Sequence, residues 1–148
     1  MEIDNGFPQE GQLFPAAIFS RLLGAEMALA SYTGACHGRA AREGQAAAEV
    51  FARQQKELGG IIDLVAGLAV AETKNAGEDM RGFVMGSDSI CTASGLQGLA
   101  HAHAAVIGII EDGMLPYAAG AGRHNIKIAL EIIIRRHRAM AAVLGEIK

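Results

Sequence analysis

Residues 90–110 run for 21 positions without a single Asp, Glu, Lys or Arg, and no other stretch restricts the fold as much. A run of that length could in principle cross a membrane. It also carries Thr92, Ser94, Gln97, His101 and His103, and polar side chains stripped of water inside a bilayer are expensive. The expectation is a buried central helix with no membrane partner.

A second stretch, 13–32, has the same character. Phe14, Ile18, Leu22, Ala25 and Leu29 fall at helical steps, and Arg21 and Glu26 are its only charges. Two helices this apolar must be covered on more than one side, so self-association is expected in a chain of 148 residues. Length gives one domain. Ala and Gly fill 47 positions and Trp is absent, which favours close helix packing over an aromatic core. The fold expected is all-α, four or five helices packed as a self-associating bundle, with residues 1–12 as an extended arm. Two cysteines cannot build a disulfide framework, and no leader-like pattern opens the chain, so the expected location is the cytoplasm. A net charge of −3 announces no nucleic-acid partner.

Along the chain, an interruption is expected at 33–38, then a surface helix over 39–57 that ends or kinks at Gly59 and Gly60. A helical stripe over 61–72 follows. Residues 73–93, with Gly77, Gly82 and Gly86, read as a long loop or one holding a small strand at 83–85. Ser94 and Gln97 have capping-box spacing for the central helix, which should end at Gly113 in a left-handed conformation. A connector over 114–122 leads to a last helix, 125–145, where Glu131 precedes Arg135 by four residues, a favourable ion-pair order.

In that last helix Ile126, Leu130, Ile133, His137, Met140 and Leu144 form a seam with one histidine inside it. The central helix repeats the device with Leu96, Leu99, His103, Val106 and Ile110. His103 and His137 could therefore meet, in the interior or at an interface, as a metal site or a proton switch. The simpler expectation is two core histidines, each bonded to a backbone carbonyl or a carboxylate, whose replacements have additive effects. Gly120, Gly122, Arg123, His124 and Asn125 form a glycine turn entering a helix N-terminus, a candidate ligand or anion site beside the plainer reading of a connector. Residues 123–148 carry a charge of +4 and residues 1–122 carry −7. Arg135, Arg136 and Arg138 at the basic end are expected to pair with acids of this protein or of a second copy, and nucleic acid is not an expected partner.

The run Cys91, Thr92, Ala93, Ser94, Gly95, Leu96, Gln97 resembles the nucleophile segment of thiolases, with one residue more than that pattern. Residues 109–139 are similar to the final helices of glucose-fructose oxidoreductase-like dehydrogenases. Two unrelated families matched by Ala- and Gly-rich segments point to shared composition. The sequence names no cofactor. The functional expectation is a non-catalytic homo-oligomeric assembly or binding protein. The alternative is a small enzyme or a ligand- or metal-binding protein with an interface site built from His103, His137 and the glycine-containing loops.

Overall fold

A computed structural model describes residues 15–73, 80–90 and 95–147. These residues form helices α1 (Pro15–Arg42), α2 (Ala47–Thr73), α3 (Met80–Asp88), α4 (Gly95–Ile109), α5 (Leu115–Gly120) and α6 (His124–Gly145). A π-helical turn, Ile110–Met114, joins α4 to α5 without a break, so five helical rods pack together. The expected all-α architecture is what the described residues show. The N-terminal arm expected at 1–12 lies outside them.

Helix α1 is the centre of the arrangement, packed against α2, α3 and α4, while α6 packs on α4 and α5. Its buried seam is Phe19, Leu22, Glu26, Leu29 and Thr33, at steps of three and four. The interruption expected at 33–38 does not occur. The Thr33 hydroxyl donates to the Leu29 carbonyl at 2.9 Å, so it stays inside the helix, and Gly34 leaves room for the Gln55 side chain. The chain turns instead at Gly44 (φ 67°), with Gln45 N–H on the Ala40 carbonyl and Gly44 N–H on the Ala41 carbonyl. That pair of bonds is a Schellman cap, whose left-handed residue suits glycine. The single surface helix expected over 39–57 is therefore split between α1 and α2.

Gly59 and Gly60 do not end α2, which is helical through both. The seam Phe51, Gln54, Leu58, Ile61, Val65 runs straight past them and is buried throughout. Packing of that seam offsets the weak helix propensity of the pair.

The loop or strand expected in 73–93 is corrected by α3. Gly82 and Gly86 sit four apart on one face of α3 and meet α1 at backbone distance. A Cβ on Gly82 would lie 2.8 Å from the Ala17 carbonyl oxygen, and one on Gly86 would collide with the Arg21 carbonyl. Gly24 answers from α1, where a Cβ would strike the Phe83 carbonyl. The glycines that read as loop residues are what lets two helices touch. Gly113 is corrected as well: it lies within the π-helical turn rather than at a left-handed helix end. The left-handed residue comes later, at Gly122 (φ 68°), in a second Schellman cap that ends α5 through Arg123 N–H on the Ala118 carbonyl. Ser94 of the expected capping box lies outside the described residues.

Every residue of the seam expected on the last helix, Ile126 through Leu144, is buried in α6. Leu99, His103, Val106 and Ile110 are likewise buried. Among the described residues no helix is long and apolar enough to cross a membrane.

Candidate functional site

The histidines of the two seams meet. Nδ1 of His103 on α4 lies 2.9 Å from Nδ1 of His137 on α6, with the rings tilted by 57° and their centroids 5.1 Å apart. On the other side of His137, Nε2 lies 2.7 Å from Glu26 Oε2 on α1. The three side chains form one hydrogen-bonded chain across three helices, and each residue is 0% exposed.

Each helix reaches this point by the same construction, an apolar seam with one ionisable residue in its middle. Glu26 is the member that the sequence reading missed. The stripe Phe14, Ile18, Leu22, Ala25, Leu29 leaves Glu26 off the buried line. The neighbouring stripe Phe19, Leu22, Glu26, Leu29, Thr33 has steps of 3, 4, 3 and 4 and contains it. A lone carboxylate in a seam parallel to the two histidine seams was the available signal.

The expectation of two independent core histidines is thus half corrected. His137 does have a carboxylate partner, but its other nitrogen is bonded to His103 rather than to backbone. Both ring nitrogens of His137 are engaged, which leaves it no lone pair to offer a metal. Among the described residues no group of three His, Cys, Asp or Glu side chains could hold a metal ion. His103 is held neutral, its pKa lowered from 6.5 to about 3, first by burial and then by the nearness of His137. At the two ends of the chain, His103 Nε2 and Glu26 Oε1 are buried without a hydrogen-bond partner.

The glycine turn is elsewhere, on the surface. Gly120, Gly122, Arg123, His124 and Asn125 are all exposed. Arg123 Nε is 2.9 Å from Glu72 Oε2, and the Tyr117 hydroxyl donates to the same oxygen at 3.0 Å. Burial and the Glu72 contact raise the Tyr117 pKa. Glu72 lines the same open depression as Gly122, Arg123, His124 and Asn125. Its charge offsets that of Arg123, so the turn offers an anion much less than its sequence promises. The turn is exposed, whereas His103 and His137 are sealed in the interior.

Of the basic residues on α6, Arg138 pairs with Glu111 at 3.0 Å, whereas Glu131 and Arg135 are not within ion-pair distance. Both side chains of the Arg138 pair are exposed, and such pairs contribute little to stability. Cys36 is a half-buried free thiol, and Cys91 lies outside the described residues. Between α2 and α6, Gln54 Nε2 donates to the Met140 carbonyl at 3.1 Å, beneath a shallow groove of about 190 Å³ lined by Val50, Arg53 and Val143.

No protein family, curated protein or solved structure matches this chain.

Proposed function

We propose that the chain is a non-catalytic helical protein that assembles with further copies of itself or binds a partner. The observation that carries this reading is the sealing of its acid–base cluster. General acid–base catalysis requires a side chain within hydrogen-bond reach of the reacting group, and Glu26, His103 and His137 are each 0% exposed. Their contacts run to one another, which ties α1, α4 and α6 in one register. Self-association is supported by large apolar side chains left on the outside, among them Val70, Val84, Met85 and Ile128 at 47–55% exposure. On this reading the protein works in the cytoplasm, without a membrane or nucleic-acid partner. Native mass spectrometry at micromolar concentration should give a dimer or larger, and a stable monomer would overturn the assembly reading.

The alternative, a ligand-binding protein, draws on one observation, which lies in the interior of the chain rather than on a face that a second copy could reach. His103 Nε2 is an unpaired polar atom in the interior, and such atoms are uncommon enough to ask for a reason. The surface turn contributes nothing to that atom, so this reading rests on His103 and His137 without Gly120, Gly122, Arg123, His124 or Asn125.

A further inference from the structure

We propose that Glu26, His137 and His103 form a proton-binding site that holds one exchangeable proton and registers its presence at His103 Nε2. The proposal is independent of assembly, because all three side chains belong to one chain.

An imidazole ring carries one proton when neutral and two when charged, and a carboxylate accepts unless it is protonated. A buried cluster with no net charge avoids the heavy cost of placing an unpaired ion in the interior. A proton on Glu26 Oε1 would be a buried donor with no acceptor, so neutrality is met by a Glu26 carboxylate with a charged His137 or by a Glu26 protonated on Oε2 with a neutral His137. Both give the same pattern. One proton lies between Glu26 Oε2 and His137 Nε2, His137 Nδ1–H donates to His103 Nδ1, and His103 carries its own proton on Nε2.

The next proton leaves from the far end. When His103 Nε2–H gives its proton to water during a local opening of α4, His103 Nδ1 takes the proton of His137 Nδ1. His137 keeps Nε2–H toward Glu26. One proton is lost, one moves a single hydrogen bond along the chain, and the cluster becomes an anion. His103 remains neutral before and after, in keeping with the burial that opposes charge on its ring. Its Nε2 changes from donor to acceptor. A group facing that atom must therefore accept when the site is filled and donate when it is empty.

Among the described residues no other ionisable side chain is buried. Helix α1 adds the half-buried Arg21, whose Nε is buried, with Tyr32, Cys36 and His37; α4 adds the exposed His101, and α6 the half-buried Glu131 with the exposed Lys127, Arg135, Arg136 and Arg138. From α2 the half-buried Glu72 is tied to Arg123 and Tyr117. Arg81 and Asp88 on α3 are exposed, as are Glu111 and Asp112 on the π-helical turn.

The test is a side-chain nitrogen NMR titration of the full chain, taken across every pH at which circular dichroism shows the fold intact. His103→Gln and His137→Gln spectra assign the rings. The wild-type protein should show one shared step in which His137 loses its Nδ1 proton while His103 passes from the Nε2–H to the Nδ1–H tautomer. A His103 that keeps one tautomer through the folded range, or that becomes doubly protonated in the step, overturns the proposal. Glu26→Gln removes the ionisable end and should abolish the step, whereas Glu26→Asp should retain it. A step that survives in Glu26→Gln would remove Glu26 from the site. The wild-type titration decides the matter by itself if either variant fails to fold.

Discussion

His103 must give up a proton-binding capacity in order to fold. Its pKa is about 3 in the folded chain against an ordinary 6.5, so between those values the unfolded chain binds a proton that the folded chain refuses. The stability this group allows is complete above pH 6.5 and falls as the pH drops toward 3, with a loss of about 2 kcal/mol by pH 5. Urea midpoints at pH 7 and pH 5 read this directly, and His103→Leu should flatten the difference. A midpoint equally low in the variant and the wild type would assign the acid sensitivity to other groups. The direct His103–His137 contact also changes what replacement should do. In a double-mutant cycle of His103→Leu and His137→Leu the second change should cost less than the first, with a coupling of about 0.5–3 kcal/mol, and additive costs would contradict a direct bond. Both histidines were legible as seam residues because period and polarity pointed the same way. Glu26 was not, since a charged residue in an apolar helix reads as its solvent face until the parallel seam is traced.

The last helix was legible almost to the residue, expected over 125–145 and found as His124–Gly145, because its apolar steps are regular and glycines flank it. Helix α3 was hidden by its glycines. Local propensity treats a glycine as a break, whereas Gly82 and Gly86 are set by the α1 backbone opposite, a contact between segments roughly 65 residues apart that no local window samples. Gly59 and Gly60 fail to end α2 for the converse reason, since a continuous seam beside them outweighs their propensity. Two alanine substitutions separate these roles by sign. Gly86→Ala pushes a methyl into the Arg21 carbonyl and should destabilise by about 1–3 kcal/mol, with lost hydrogen-exchange protection in α3. Gly60→Ala meets open space on an exposed helix face and should stabilise by about 0.5–1 kcal/mol. Equal effects of the two would remove the close-approach explanation for α3.

At the scale of the molecule, association and folding are linked through concentration. If copies of the folded chain bind one another and unfolded chains do not, the thermal midpoint must rise with protein concentration. A scan from about 1 to 100 µM should show the rise, and a constant midpoint would argue for a monomer. The charge asymmetry read from the sequence is partly neutralised inside the chain, because Arg123 and Arg138 reach Glu72 and Glu111 from the acidic portion. The class of fold was legible from apolar spacing, and the order of packing was not, since which helix becomes the hub depends on where backbones can approach. The turn at Ile110–Met114 sets the facing of the helix that follows it. It behaves like a shifted reading frame: α4 runs on into α5 without a break, and the turn's wider winding sets which stripe of α5 faces the core. Removing one residue there would rotate everything from Leu115 to Gly120 by about 100°. Tyr117 would swing away from Phe19, which it meets edge-on at 6.3 Å, and from Glu72. Point changes at 110–114 are spelling errors in a phrase that still scans, whereas a single-residue deletion would garble the whole clause that leads into α6.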